Sequence, residues 1–237
     1  MSGPVEISRR GAALWARIDR TDAANACGST VMAGLESWLS RAGEPGVRVL
    51  VLTGTGRHFC AGADMVEGTA LLGDQPALRA YLDRGRRLVR AVRASPVPTI
   101  AAVNGVAFGG GLELLLACDL AIAADTARIG DRHIAAAQVP GWGSSVLLPR
   151  AIGPAAARRL LLTGETWTGL EAMANGLVGE CVPADALGSR ATALAEHLAS
   201  LDPAAVARML RVARPVIDEA EWDREWQTLT EHLASQE

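Results

Sequence analysis

Between Pro98 and Asp119 the chain reads PTIAAVNGVAFGGGLELLLACD: an apolar run, three consecutive glycines, and a second apolar run that carries one carboxylate, Glu113. Pro98 to Val103 has the composition of a buried strand and Leu112 to Cys118 that of a helix, with Gly109, Gly110 and Gly111 as the break between them. A buried strand that feeds a helix through glycines belongs to a sheet with helices packed on it, and its turn is also an anion site. Glycine lets a ligand approach the backbone, and the first amides of a helix have no intrahelical acceptor, so they point outward at negative charge. Glu113, on the first turn among leucines, fits two descriptions. It is either a favourable partner of the helix dipole or the acid–base group of a site that stabilises developing negative charge.

The remaining composition narrows the chemistry. All 23 residues counted as Lys plus Arg are arginine. Schiff-base chemistry and a P-loop lysine are therefore excluded, and any phosphate recognition falls to arginine and backbone amides. A net charge of -3 and a pI near 5.9 argue against a nucleic-acid partner. Basic residues cluster once, in RAYLDRGRRLVRAVR, where Leu78, Leu82, Leu88, Val89 and Val92 recur at helical spacing, so the arginines form the wet face of an amphipathic helix. With 237 residues, 49% of them hydrophobic, the chain can bury one large core. Cys27, Cys60, Cys118 and Cys181 form no CxxC pair and have no zinc-like histidine spacing, so no metal site and a reduced, cytoplasmic setting are expected. The most apolar stretch is interrupted by Asn104, Glu113 and Asp119, and neither secretion nor membrane insertion is expected.

Along the chain, Val5 to Ser8 and Ala12 to Ile18 read as a hairpin turning at Arg9, Arg10 and Gly11. A helix from Ser29 uses Val31, Met32, Leu35, Trp38 and Leu39, and Gly43 to Gly46 stop it. Val47 to Thr53 is too apolar for a half-exposed strand and leads into the loop GTGRHFCAGADM. The Arg-rich helix and the Pro98 strand follow. This alternation implies right-handed crossovers, which put the loops at Ala61 to Met65 and at Gly109 to Gly111 at strand C-terminal ends, facing one crevice. Asp119 to Ala124 reads as another strand, followed by ARIGDRHIAAAQVPGWGSS, and from Leu147 the chain is mostly helical.

HFCAGADM, PTIAAVNGVAFGGGLELLLACDLAIAADTARIG, VPGWGSS and LLLTGETWTGLEAMANGLV, in this order, resemble the crotonase superfamily, the enoyl-CoA hydratase/isomerase group, from about Ile18 to Val182. The resemblance implies an α/β fold, a crotonase-like spiral of ββα units over residues 1–195 with a short C-terminal helical region at 196–237. It implies assembly as a homotrimer or homohexamer. It also implies an acyl-CoA thioester substrate, with no metal or redox cofactor and with coenzyme A present as part of the substrate. By position the family's oxyanion-hole amides fall on Ala63 and Gly110, where they would hold the thioester oxygen as an enolate; loss of one such donor typically costs about 3 to 4 kcal/mol of barrier. The family's CoA-binding backbone falls on Cys60, Ala61, Gly62 and Asp64, with Arg20 as a neighbour of the pantetheine or phosphates. Met65 and Trp142 fall at the acyl pocket. Trp142 stands where the family usually carries a small residue, as a narrower pocket wall or as ordinary core.

The family's hydratases set two glutamates across the substrate double bond. Glu113 matches the first. The second usually sits in FGxPE, and here the chain reads IGDRHI, with His133 at that position. An unperturbed pKa near 6.5 lets a histidine serve as acid or base near neutrality. Asp131 is another carboxylate in the same loop, and His58 reads as structural. A single base can carry a proton between the α and γ carbons, so loss of the second glutamate favours isomerisation slightly, while hydration and specialised lyase or decarboxylase chemistry stay open. Thioester hydrolysis or dehalogenation through Asp131 or His133, and a non-catalytic CoA-binding homologue, are the alternatives. The chain ends at Glu237, where family members commonly continue with a segment that helps close the site, so closure and subunit contacts are open at this stage. Its terminal helix keeps Ala220, Trp222, Trp226, Leu229 and Leu233 as apolar surface with which to dock.

Overall fold

A hairpin of β1 (Val5–Arg10) and β2 (Ala13–Ile18) leads through a polar loop to α1 (Ser29–Ser40). The chain then winds in turns of two strands followed by helix. The first holds β3 (Val49–Gly54), β4 (His58–Cys60), α2 (Met65–Ala70) and α3 (Gln75–Arg93). The second holds β5 (Thr99–Val103), β6 (Val106–Phe108) and α4 (Gly110–Ala117). The third holds β7 (Leu120–Ala124), β8 (Arg128–Gly130) and α5 (Ser144–Thr163), which breaks at Gly153. Next come β9 (Trp167–Thr168), α6 (Gly169–Ala174), β10 (Glu180–Val182), α7 (Leu187–Ser200), α8 (Pro203–Ala213) and α9 (Glu219–Ala234). This is a computed structural model, and it describes residues 3–235.

Each turn gives its first strand to one sheet and its second to another. The larger sheet runs β1-β2-β3-β5-β7-β10 and the smaller β4-β6-β8-β9. From β2 to β10 the larger sheet is parallel, with Leu50 opposite Thr99 and Ile100 opposite Leu120. Its central strands are apolar on both faces because both are covered. Leu14, Leu50, Leu52 and Ala101 enter the main core, while Trp15, Val49, Val51 and Ile100 pack under Leu187, Ala191 and Ala195 of α7. The arginine face of α3 is only partly wet: Arg84 pairs with Glu36 of α1, and Arg86 and Arg90 pair with Asp223 and Glu219 of α9, which leaves the Arg86 side chain 11% exposed. No described helix is long and apolar enough to cross a membrane.

Three local expectations change. Arg9 and Arg10 belong to β1, paired with Leu14 and Ala13, so the hairpin turn shrinks to Gly11 and Ala12. α4 starts at Gly110 rather than Leu112, because a first turn needs no amide acceptors and tolerates glycine there. The three-residue strands β4 and β8 lie in stretches that read as loop, and β6 lies in the apolar run before the glycines without its own signal, since three residues cannot display a period. The boundary drawn at 195/196 falls inside the continuous helix α7.

Candidate active site

β4 and β6 are paired in parallel, so the loops after Cys60 and Phe108 leave the small sheet on the same side. There the Ala63 nitrogen lies 3.3 Å from where a Cβ on Gly110 would stand. The residues around Ala63 are fastened. Ala61 N donates to Ala24 O at 3.2 Å, Gly62 O accepts from Cys27 N at 2.7 Å, and Asp64 N donates to Tyr81 Oη at 2.9 Å. The other turn is held by Gly109 N donating to Asp131 O at 2.9 Å, with Gly109 at φ +49°. Between these ties, the N–H groups of Ala63 and Gly110 donate no hydrogen bond among the described residues. Two fixed, unused donors at the end of a sheet make a ready anion hole. Only glycine fits at 110, because an added Cβ would lie 2.4 Å from the Trp142 ring.

Glu113, 1% exposed, points from the first turn of α4 at the N-terminus of α5. Its Oε1 accepts from Trp142 N at 2.9 Å and Ser144 N at 3.0 Å, and its Oε2 accepts no hydrogen bond among the described residues. The residue lines a cavity of about 270 Å³ together with Ala63, Gly110, His133 and Trp142. Burial pushes the Glu113 carboxyl up to about 7; His133 pulls it down, and Glu225 and Asp131 push it further up.

His133 and Asp131 act as a unit. The ring Nδ1 is 3.0 Å from Asp131 Oδ1, and Asp131 is buried. Burial alone lowers the imidazole, but the bond to Asp131 and the charges of Glu113, Asp131 and Glu225 outweigh it and raise His133 to about 9. Burial works against the Asp131 carboxylate too, and its bond to His133 holds it below the usual range. A Cβ on Gly109 would lie 3.5 Å from both Cε1 and Nε2 of His133, so the ring sits over the glycine turn with Nδ1 toward Asp131.

A second cavity, of about 280 Å³, shares Ala63, Met65, Gly110 and His133 with the first and adds Ala61, Gly62 and Arg132. The two cavities therefore meet at the unused amides. Of the expected coenzyme contacts, Ala61 and Gly62 line the second cavity and Asp64 the first. Cys60 is buried beneath them, and Arg20 lines neither cavity: its guanidinium is bound to the Asp64 carboxylate and lies 3.4 Å from Ala26 O. Met65 is 60% exposed and borders both cavities. Trp142 is 3% exposed and is both pocket wall and core. His58 serves through its carbonyl, which accepts from Asn25 and Asn104.

Sequence reasoning names Leu229 and Leu233 of α9 only as docking surface and does not single out Glu225. Leu229 and Leu233 line the first cavity, and Glu225, buried, accepts from Ser145 N at 2.7 Å. The signal for Glu225 is a carboxylate four residues before Leu229 on the apolar stripe of Trp222, Trp226, Leu229 and Leu233.

Comparison with known proteins identifies the family. The family model for enoyl-CoA hydratase/isomerase matches residues 10–229. A probable enoyl-CoA hydratase of Mycobacterium bovis is 40% identical, covering 83% of this chain and 75% of its own. The (E)-benzylidenesuccinyl-CoA hydratase of Thauera aromatica is 37% identical over 86% of this chain and 79% of its own. The solved structure of a carnitinyl-CoA dehydratase from Mycobacterium avium superposes with a TM-score of 0.86 at 33% identity, covering 99% of this chain and 94% of that one. The chain belongs to the enoyl-CoA hydratase/isomerase family, the crotonase superfamily.

Proposed function

We propose that the protein is a hydro-lyase that adds water to an enoyl-CoA thioester, or removes it, through an enolate. The observation that carries this reading is the convergence of two unused amides, the free Oε2 of Glu113 and the His133 ring on one cavity. The thioester oxygen sits between the N–H groups of Ala63 and Gly110, with the acyl chain in the apolar cavity walled by Met65 and Trp142. The coenzyme leaves along Ala61 and Gly62. Glu113 takes a proton from water as its oxygen bonds to the β-carbon, and the π electrons move to the thioester oxygen, where the amides stabilise the charge. The enolate then collapses, and its α-carbon takes a proton from the His133 imidazolium; Glu113 returns the water's proton to His133, which closes the cycle.

His133 thus takes the place of the second glutamate, and Asp131 keeps it protonated. That second group supports hydration over the single-base isomerisation which the changed loop motif slightly favours. The relatives named as a hydratase and a dehydratase support the same reading. We also expect the family's homotrimer or homohexamer, measurable by light scattering. The test follows the conjugated thioester's absorbance. Crotonyl-CoA should lose it on hydration, and Glu113→Gln should abolish that loss. Gain of absorbance from a 3-enoyl-CoA with no crotonyl-CoA hydration would replace hydration by isomerisation, and a fully active Glu113→Gln would overturn both.

A further inference from the structure

The N-terminus of α5 is held by two carboxylates from helices far apart in the chain. Glu113 of α4 takes the amides of Trp142 and Ser144, and Glu225 of α9 takes the amide and hydroxyl of Ser145. Close approach of α9 is built in: a Cβ on Gly141 would lie 2.2 Å from Leu229 Cδ2. Glu225 exceeds what a helix cap needs. Its second oxygen, Oε1, is buried without a hydrogen-bond partner among the described residues, and a buried bare carboxylate oxygen costs free energy that a serine or threonine cap would avoid.

We propose that Glu225 is a positioning residue for Glu113: it fixes the amide end of α5 that orients Glu113, and the two carboxylates share the protons of one buried site. This rests on the reading of Glu113 as the acid–base group. The groups that face Glu225 set the sign. From α4 comes Glu113, from the loop after β8 come His133 and Asp131, and from the N-terminal end of α5 come Ser145 and the amide of the capping Gly143, while burial raises the Glu225 carboxyl itself. On the other side of α9, Arg86 of α3 is paired with Asp223 and lies over the Trp226 ring. The nearby cation, His133, is bonded to Asp131, so Glu113 and Glu225 face each other as like charges. Two carboxylates in one site disfavour joint ionisation, and the pair holds protons to higher pH than either alone.

The test is a carbon-13 NMR titration of the glutamate side-chain carboxyls, with the Glu113 signal assigned by its loss in Glu113→Gln. Glu225→Gln keeps an oxygen for Ser145 and deletes the charge. The Glu113 midpoint should fall by roughly half a pH unit or more, and the acid limb of kcat/KM for crotonyl-CoA should move with it. Ser145→Ala should shift the midpoint the same way by less, because Glu225 loses a bond that favours its charged form; this variant decides the matter if Glu225→Gln does not fold. An unmoved midpoint in a folded variant would overturn the proposal and leave Glu225 a helix cap. A midpoint that falls in a protein that turns over no enoyl-CoA would retain the coupling and remove the hydration reading instead.

Discussion

The turn proposed as an oxyanion hole and the cluster proposed to move protons share one cavity, yet the first is made of backbone and the second of side chains whose charges depend on one another. The amides of Ala63 and Gly110 are placed by ties within their own loops and by the absence of a side chain at 110. Glu113, Asp131, His133 and Glu225 come from α4, the loop after β8 and α9, and the proton affinities of Glu113 and His133 each respond to the other three. A backbone donor keeps its N–H at any pH and is broken by sterics. A buried charge cluster is broken by removing one member or by titrating it.

Removing Glu113 should have the largest effect. Glu113→Gln retains an oxygen for the amides of Trp142 and Ser144 but cannot take a proton, so kcat should fall about 10²–10⁴-fold. Stability should move the other way. The folded-state carboxyl is raised to about 7 from an ordinary value of 4.5, so its ionisation opposes folding, a cost that sets in above pH 4.5 and is complete above 7. At pH 8 the variant should therefore gain on the order of 2 kcal/mol over wild type, and at pH 4 almost nothing, as urea unfolding at the two pH values would measure. A variant less stable than wild type at pH 8 would mean that Glu113 is not strained by burial.

Gly110→Ala attacks the other half. The new Cβ would stand 2.4 Å from the Trp142 ring and 3.3 Å from Ala63 N, so it both clashes and intrudes on the place proposed for the thioester oxygen. Loss of activity should be about 10²–10³-fold. Adding Trp142→Ala relieves the clash but leaves a cavity where the buried indole packs, so it should restore neither rate nor wild-type stability. The residual activity should keep the wild-type pH profile, since no charge has changed. A shifted profile would show that the two halves are not separable.

Asp131→Asn should act on pH dependence more than on peak rate. With Glu113 needed as base and His133 as acid, kcat/KM should rise through about 7 and fall through about 9. Removing the Asp131 charge and its bond destabilises the imidazolium, so the alkaline limb should move down by about one unit or more and narrow the bell. An alkaline limb that stays put would remove His133 as the acid.

The same contrast explains what could be read from the sequence. The backbone half is local: a buried strand, glycines and a helix start are written within Pro98 to Asp119, and the HFCAGADM segment supplies the facing loop. His133 was placed by a motif position, but its bond to Asp131 depends on Arg132 at φ +63°, a conformation that periodicity does not reveal. In the sequence Glu225 is indistinguishable from the other charges of an amphipathic helix, since only the docking of α9 carries it to Ser145. The second sheet went unread because its strands are shorter than one hydrophobic pattern, although the ββα spiral implied by the family resemblance contains it.

Trp142 belongs to both halves and should give the smallest effect on rate. Its amide holds Glu113, which any residue at this position supplies, while its ring fills the space against Gly110 and Gly85; a Cβ on Gly85 would lie 2.1 Å from the indole. Trp142→Phe should leave crotonyl-CoA hydration within about threefold, because neither amide of the oxyanion turn nor the bond to Glu113 is lost. The smaller ring opens the cavity beside α3, so kcat/KM for a branched or aromatic enoyl thioester should rise by about tenfold relative to crotonyl-CoA, the scale on which pockets distinguish small changes of apolar volume. Equal gains for all acyl groups would point instead to a general loosening of the site. A selective gain would assign the indole to acyl recognition and its amide to Glu113, one residue divided between side-chain and backbone work.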